Sequence, residues 1–235
     1  KPDAVFPNNW VSFHADGTIV FYPMYAPSRR IERNDELIEA LTEKFLVRKR
    51  LHLEQYEQSN KFLEGTGSMI LDRKNEICYA CLSPRTDAQL LDEFCESLHF
   101  KPLSFEAVDK NDTPVYHTNV MMALGETFVV ICLDAVRFRE NRVELLKLFE
   151  KTGKEVVDIS FEQMNHFAGN MLQVKNDFSE TFLVMSSQAF NSLNSQQIAH
   201  LNRHTTILHS DISTIEKYGG GSVRCMMAEV FLPTK

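Results

Sequence analysis

Short apolar segments recur along the chain at nearly even intervals, and each of them begins with a small or polar residue. Their first residues are 51 to 58 positions apart in a chain of 235 residues. The segments are NWVSF from Asn9, GSMIL from Gly67, NVMMAL from Asn119, NMLQV from Asn170 and CMMAEVFL from Cys225. Regular spacing of this kind indicates one supersecondary unit that has been copied several times.

The pattern after each opening segment predicts a second strand, a helix and a third strand. In the second unit, GSMILD is followed by the turn RKNE, the strand ICYACL, the helix TDAQLLDEFCESL and the strand KPLSFEAV. The apolar residues of that helix recur at helical spacing: Leu90, Leu91, Phe94 and Leu98. The third and fourth units repeat this order, with helices over ENRVELLKLFEK and near NSQQIAHLNRH, and the first has a helix near NDELIEALTEKF.

Copies of a ββαβ unit around a central axis predict an α/β propeller with fivefold pseudo-symmetry, as a single domain over residues 1–235. The alternative is a mixed α/β sheet whose similar segments arose by chance. Four units are nearly complete, but the fifth has only its opening strand. The N-terminal part of one module is therefore missing from the sequence as given. We therefore expect a segment before Lys1 to supply it, because a gap in the ring would leave two strand edges unpaired.

The composition limits the classes of function. Hydrophobic residues make up 43% and charged residues 24% of the chain, which is typical of a globular protein. No stretch reaches the roughly 20 apolar residues of a membrane span, and the start resembles no leader, so we expect a soluble cytoplasmic protein. The net charge of −7 disfavours a nucleic-acid partner. The one basic run, Arg48 to Arg50, is predicted to cover a helix end.

The five cysteines form an odd set, which favours reduced thiols over a disulfide scaffold. Cys78 and Cys81 make one CxxC inside the apolar run ICYACL, but no second pair follows at the spacing of a zinc site. Two buried strand cysteines are the simpler interpretation. The eight histidines include no HExxH and no pair three or four residues apart within a convincing helix, so no metal site and no cofactor are predicted.

The residues near the starts of the five segments should converge at one end of the axis. They comprise a thiol, an imidazole, a carboxylate and several amides: Cys225, His117, Glu64, Asn8, Asn9, Asn119 and Asn170. Taken singly, a cysteine beside a strand is usually a small buried side chain, and asparagines usually cap turns. Together they suit addition and elimination at a planar carbon that bears nitrogen.

Two stretches of sequence strengthen this interpretation. In LEGTGSMIL, Glu64 stands among apolar residues, where an unpaired carboxylate costs several kcal/mol unless a partner or ligand meets it. In GGGSVRCM, Gly219 to Gly221 let the backbone approach a ligand closely, and amides there can stabilise developing negative charge. The alternative for the glycine run is a flexible turn.

At these positions the sequence resembles the amidinotransferase-like enzymes that modify guanidino groups, which include arginine deiminase, agmatine deiminase and dimethylarginine dimethylaminohydrolase. The resemblance rests on FPNNW from Phe6, LEGTGS, YHTN, AGNML and GGGSVRC, in the family's order. It implies the pentein fold, a fivefold α/β propeller. FPNNWVSFHADGT and HTNVMMALGE look closest to a subgroup associated with citrulline utilisation.

The resemblance implies a covalent mechanism. The thiolate of Cys225 would attack the central carbon of a guanidino or ureido group and form a thioester- or thiouronium-type intermediate, which water then resolves. His117 would protonate the departing nitrogen and later activate the water, and Glu64 would hold substrate N–H groups. The expected substrate-binding residues are Phe6, Asn8, Asn9, Asn119, Asn170 and Gly221.

The sequence departs from the family's pattern at Asn9 and Asn119, where those enzymes commonly carry aspartates. An amide offers both a donor and an acceptor to a neutral ureido group, whereas a guanidinium needs counter-charges. Citrulline is therefore the expected substrate. The alternatives are a deiminase or amidinotransferase of the same superfamily, and a non-catalytic pentein such as a ribosome-associated translation initiation factor. Arg29, Arg30 and Arg224 are candidates for binding a substrate carboxylate, and the oligomeric state is left open.

Overall fold

The computed structural model describes residues 4–235. Its helices are α1 (Pro27–Arg30), α2 (Asp35–Lys44), α3 (Gly65–Ser68), α4 (Ala88–Leu98), α5 (Thr118–Met121), α6 (Arg139–Lys151), α7 (Phe161–Asn165), α8 (Ser187–Ser192), α9 (Ser195–Leu201) and α10 (Ser213–Gly219). Its strands are β1 (Val11–Phe13), β2 (Thr18–Phe21), β3 (Lys49–His52), β4 (Ile70–Asp72), β5 (Ile77–Leu82), β6 (Lys101–Glu106), β7 (Met122–Leu124), β8 (Phe128–Ile131), β9 (Glu155–Asp158), β10 (Leu172–Lys175), β11 (Thr181–Ser186) and β12 (Thr206–Ser210).

The strands form four sheets of three, each built from consecutive strands. In every sheet the first strand pairs antiparallel with the second, and the second pairs parallel with the third. A parallel pair needs a crossover, and α2, α4, α6 or the α8–α9 pair supplies it. The predicted ββαβ modules and the mixed α/β class are thereby confirmed. Closure into a fivefold ring stays a prediction.

In the first three modules the opening residues lie on short helical turns rather than within the strands, which corrects the sequence interpretation, and Asn170 of the fourth lies just before β10. α3 and α5 precede β4 and β7, and a 3-10 turn, Pro7–Asn9, precedes β1. Gly65 permits the first of these turns, because its φ is +47° and a β-carbon there would lie 2.3 Å from the carbonyl oxygen of Asn8. The turns contact one another, so the first three modules approach each other through them.

Two other expectations were wrong. The basic run begins at Arg48 and continues into β3, an edge strand paired with β2, where charged side chains protect the exposed edge. The segment from Cys225 forms no strand ladder: it begins as a 3-10 turn, Val223–Met226, and pairs only through isolated bridges of Val230 and Thr234. Without a continuous partner in the described chain, it is extended only in part.

The core is divided between the modules. The largest apolar cluster joins the second, third and fourth modules, and smaller clusters lie beneath the first two. One buried ion pair links modules, because Lys154 Nζ lies 3.1 Å from Asp72 Oδ2 and both side chains are at most 3% exposed. Cys78 and Cys81 are buried and belong to different clusters, so their thiols do not share a ligand site. Within residues 4–235, the helices are too short and too polar for a membrane span.

Candidate active site

Cys225 is held in the 3-10 turn Val223–Met226, and amide groups from two other modules surround its thiol. The Nδ2 atoms of Asn119 and Asn170 lie 3.4 Å and 3.3 Å from its Sγ. Asn170 is fixed in turn, since its Nδ2 also donates to the carbonyl oxygen of Asn119 and its Oδ1 accepts from the backbone N–H of Arg224. Two N–H groups aimed at the sulfur are placed to stabilise negative charge that develops on it during a reaction.

His117 and Glu64 form a buried pair. The Nε2 atom of His117 lies 2.7 Å from Glu64 Oε2, and both side chains are at most 5% exposed. The other oxygen of Glu64 accepts a hydrogen bond from the backbone N–H of Tyr25 at 2.8 Å. Arg85 adds a longer bond of 3.4 Å to Glu64 Oε2. The carboxylate is therefore fully engaged within the protein and fixes the orientation of the imidazole.

The two groups affect each other's ionisation. Burial opposes the charge of Glu64, but the hydrogen bond and charge of His117, together with Arg85 and the N–H of Tyr25, hold its pKa well below the usual range. Burial lowers the pKa of His117, against the raising effect of Glu64. At neutral pH the pair is thus a carboxylate and a neutral imidazole. With Nε2–H donated to Glu64, Nδ1 carries the lone pair and lies beside Gly67, whose missing side chain leaves room for the ring.

A cavity of about 390 Å³ contains both Cys225 and His117 in its wall. Three further residues predicted to bind substrate line it: Phe6, Asn9 and Gly221. Among the described residues that line this cavity, none carries a carboxylate, whereas Arg29 and Arg85 bring guanidinium groups to it. The cavity therefore has an anion-attracting wall beside a thiol and an imidazole.

The glycine run closes one side of the cavity against Phe6. A β-carbon at Gly221 would lie 2.8 Å from Cζ of Phe6, and one at Gly219 would lie 3.0 Å from the same atom. Gly220 has a φ of +70°, which ends α10 in the left-handed conformation. The hydroxyl of Tyr116 donates to the carbonyl oxygen of Gly220 at 3.4 Å. The run is thus a shaped wall and not a free turn.

The other predicted residues, Asn8, Asn119 and Asn170, do not line the cavity, whereas Asn9 lines it and is held by two neighbours. Asn9 donates to the carbonyl oxygen of Glu64 and accepts from Arg29 at 3.2 Å. Asn8 is fully buried, and in the described chain neither polar atom of its side chain has a hydrogen-bond partner; the same holds for Oδ1 of Asn119. Such buried polar atoms require partners, which a ligand or water can supply. The structure thus brings the predicted set together from positions more than 200 residues apart.

The candidates for a carboxylate ligand separate in the structure. Arg29 lines the cavity and forms an ion pair of 2.9 Å with Glu32. Arg30 pairs with Glu57 instead, and the guanidinium of Arg224 pairs with Glu229, and neither lines this cavity.

Arg85 and Tyr116 also line the cavity and were not predicted from the sequence. The Arg85 guanidinium lies 5.1 Å from the ring centroid of Tyr116, and its side chain is 30% exposed. Arg85 lies in the polar loop after the predicted strand ICYACL, and Tyr116 directly precedes His117. These two positions were the features of the sequence that could have indicated a role in the site.

Comparison with known proteins identifies the family. The sequence profile described as "N,N dimethylarginine dimethylhydrolase, eukaryotic" matches residues 1–232. The chain belongs to this family. The resemblance to guanidino-modifying enzymes is therefore confirmed, whereas the citrulline subgroup stays a prediction. No curated protein sequence matches the chain.

Solved structures share the fold at low sequence identity. ArgZ, an arginine dihydrolase from the ornithine-ammonia cycle in Cyanobacteria, is 18% identical with a TM-score of 0.74 over 99% of this chain and 34% of its own. Unliganded AgrE is 18% identical with a TM-score of 0.76, over 100% of this chain and 31% of its own. A variant dimethylarginine dimethylaminohydrolase was solved as an adduct with S-methyl-L-thiocitrulline. It is 19% identical with a TM-score of 0.65, over 96% of this chain and 76% of its own. The chain thus spans about a third of the ArgZ and AgrE chains.

Proposed function

We propose that the protein is a cysteine-dependent hydrolase that cleaves a C–N bond of a ureido group, and that citrulline is its substrate. The observation that carries this proposal is the position of the Cys225 thiol, which receives two amide N–H groups and shares one cavity with His117, the partner of the buried Glu64. A nucleophile, a neutral base and a carboxylate that orients the base are the parts required for covalent catalysis at a planar carbon.

In the first half of the reaction, the sulfur attacks the ureido carbon. The thiol proton passes to the free lone pair of neutral His117, and the new C–S bond gives a tetrahedral adduct. The adduct collapses with cleavage of the bond from carbon to the alkyl nitrogen, which takes up the proton from His117. Ornithine leaves, and a carbamoyl group remains on Cys225 as a thioester.

In the second half, water replaces the amine. His117 accepts a proton from the water while the water oxygen attacks the carbonyl carbon. The C–S bond then breaks, and the proton on His117 passes to the sulfur, which restores the thiol and the neutral imidazole. The product is carbamate, which decomposes to ammonia and carbon dioxide. The amide N–H groups of Asn119 and Asn170 stabilise the sulfur anion at the start and at the end of the cycle.

The charge of the cavity supports a neutral reacting group. Its lining carries the guanidinium groups of Arg29 and Arg85, and no carboxylate is found among the described lining residues. A guanidinium there would meet like charge, because Glu64 is fully buried and already bonded to His117 and Tyr25. A ureido group has no charge to compensate. In this proposal Glu64 orients His117, and the predicted contact of Glu64 with substrate would require the carboxylate to leave one of its two partners.

The same charge suits the other end of an amino-acid substrate. Arg85 is 30% exposed and rests between the rings of Tyr25 and Tyr116, which limits its motion. A guanidinium held in this way forms bidentate bonds with a carboxylate. Arg29 is committed to Glu32 and Asn9. We therefore assign Arg85, and not Arg30 or Arg224, to the substrate's α-carboxylate.

A second candidate reaction is hydrolysis of a guanidino group. The name of the family favours it, and ArgZ, which shares the fold, is an arginine dihydrolase. The same parts would act: the sulfur would attack the guanidinium carbon, and His117 would protonate the departing nitrogen. This reaction requires a counter-charge, which Glu64 would supply by turning from His117 to the substrate.

Product analysis distinguishes the two reactions. The protein is incubated separately with citrulline, arginine, agmatine and dimethylarginine, and ornithine, ammonia, citrulline and dimethylamine are measured. We expect equimolar ornithine and ammonia from citrulline only. Cys225→Ser and His117→Ala should abolish turnover, while Cys95→Ala, a buried thiol in α4, retains it. Turnover of arginine or dimethylarginine but not citrulline would establish the second candidate.

The donors to sulfur have their own test. Asn119→Ala removes one N–H from Cys225, and its Oδ1 has no partner in the described chain to lose. We expect alkylation of Cys225 by iodoacetamide at neutral pH to slow by about tenfold or more. Mass spectrometry of the labelled peptide measures this rate. An unchanged rate in a folded variant contradicts the role of the amides.

A further inference from the structure

Two histidines and a glutamate from different modules meet outside the cavity. His200 lies in the last turn of α9, and His204 follows four residues later. Helix α9 ends at Leu201, but the N–H of His204 donates to its carbonyl oxygen, so the chain keeps turning. The two imidazole rings therefore stack, with centroids 5.5 Å apart. Both histidines lie in NSQQIAHLNRH, where a helix was predicted, so this pair could have been recognised from the sequence.

Glu155, the first residue of β9, faces both rings. Its Oε2 lies 2.9 Å from Nε2 of His200 and 3.5 Å from Nε2 of His204. Neither nitrogen has a hydrogen-bond partner within residues 4–235, although both atoms are buried. The oxygen is thus close to each nitrogen but off the direction of its N–H bond. Atoms that face a common point rather than each other are arranged as a shared cation requires.

A further contact orients the ring of His204. Its Nδ1 lies 2.8 Å from the hydroxyl oxygen of Thr127, and its side chain is nine-tenths buried. When Nδ1–H donates to that oxygen, Nε2 keeps its lone pair and directs it towards Glu155. Thr127 is itself tied to the same strand, because its carbonyl oxygen accepts the N–H of Glu155. Metal-binding histidines are commonly oriented by such a bond to their other nitrogen.

We propose that Glu155, His200 and His204 bind a divalent transition cation of the Zn²⁺ class. Imidazole nitrogen suits Zn²⁺ better than it suits Ca²⁺ or Mg²⁺, and three protein ligands leave a position for water. With bonds of about 2.1 Å, tetrahedral geometry separates ligand atoms by about 3.4 Å. The two measured N···O distances, 2.9 Å and 3.5 Å, lie on either side of this value.

The site joins two modules and is separate from the reaction. Glu155 pairs with Phe128 at one end of the β8–β9 ladder, whereas the opposite end of β8, at Ile131, pairs with Met122 beside α5 and His117. Binding would therefore stabilise the contact between the third and fourth modules. This inference does not depend on the proposed function.

Arg203 competes with the cation. Its Nη2 lies 2.9 Å from the same oxygen of Glu155, and its side chain is 61% exposed. The guanidinium balances the carboxylate when no metal is bound, and it can move into solvent when a cation arrives. Arg203→Ala should therefore bind Zn²⁺ at least as tightly as the parent protein.

The test measures Zn²⁺ binding to the protein that carries Cys225→Ser, so that the reactive thiol cannot act as a ligand. After treatment with a chelator, calorimetry should give one equivalent of Zn²⁺, and the thermal midpoint should rise. His200→Ala, His204→Ala and Glu155→Gln should each weaken binding by about tenfold or more. His99→Asn, an exposed histidine in the left-handed conformation that asparagine tolerates, should bind like the parent.

Thermal midpoints measured in chelator show whether each variant is folded, and Glu155→Gln, at an exposed position, provides a test that does not rely on a buried ring. Unchanged affinity in the folded Glu155 and histidine variants would overturn the proposal, as would the absence of a Zn²⁺-dependent rise in the midpoint of the parent. Weaker binding by Arg203→Ala would also overturn it, since that side chain would then be acting as part of the site.

Discussion

Replacing the buried carboxylate with an amide, Glu64→Gln, tests the ionic character of the pair with His117. The carboxylate accepts bonds from His117 at 2.7 Å, Tyr25 at 2.8 Å and Arg85 at 3.4 Å. Glutamine offers one oxygen in place of two, so its NH₂ group must face another donor. Hydrogen bonds to a charged group contribute about 1.5–3 kcal/mol, and we expect the variant to be about 2–3 kcal/mol less stable at pH 7.

The pH dependence gives an independent magnitude. The pKa of Glu64 is lowered from 4.5 to about 2, and each unit corresponds to about 1.36 kcal/mol, so the ionised carboxylate contributes about 3 kcal/mol. Because the folded-state pKa is the lower one, this contribution is complete above pH 4.5 and is lost as the pH falls towards 2. The difference between parent and variant should therefore shrink over this interval.

Protonation of His117 also lowers the stability of the folded protein as the pH falls, but it does so at a higher pH than protonation of Glu64. Burial lowers its pKa below 6.5, so the unfolded chain binds a proton more readily than the folded protein, and stability falls as the pH drops below 6.5. Removing the charge of Glu64 takes away an effect that raises this pKa. The loss of stability below pH 6.5 should consequently be larger in Glu64→Gln than in the parent.

Urea unfolding between pH 7 and pH 3 measures both effects. Glu150→Gln, an exposed site in α6, serves as the control and should stay within about 0.5 kcal/mol of the parent throughout. A difference between Glu64→Gln and the parent that stays constant from pH 7 to pH 3 would refute the reasoning, since the buried carboxylate would then contribute nothing through its ionisation.

Two further predictions concern stability and use the same unfolding assay. Gly65 and Gly153 both have positive φ, but a β-carbon at Gly65 would lie 2.3 Å from the carbonyl oxygen of Asn8, while one at Gly153 would meet nothing within 4 Å. Gly65→Ala should therefore lower the free energy of unfolding by about 1–3 kcal/mol more than Gly153→Ala does. Equal losses in the two variants would contradict the role of this contact. Lys154→Met should cost about 3–5 kcal/mol because it leaves the buried Asp72 carboxylate without a counter-charge. Adding Asp72→Leu should restore part of this loss, since it removes the charge but also the bonds from Asn75, and no restoration would contradict the assignment.

The sequence by itself determined the repeating ββαβ modules and the set of polar residues at their openings. Strand and helix periodicities are local properties, and burial of one face imposes them on each unit separately, so β5 and the α4 helix were found close to their observed bounds. The same reasoning placed Cys225, His117 and Glu64 together, because equivalent positions of repeated units converge on a common axis.

Only the tertiary structure decided how these residues meet. The bond from Asn119 to Cys225 spans 106 positions, and the neutral form of His117 depends on its burial beside Glu64. Arg85 became part of the cavity because the loop after β5 folds back over Tyr116. The Glu155, His200 and His204 cluster likewise joins two modules. Such contacts depend on the packing of distant segments, and a pattern read along one segment carries no information about them.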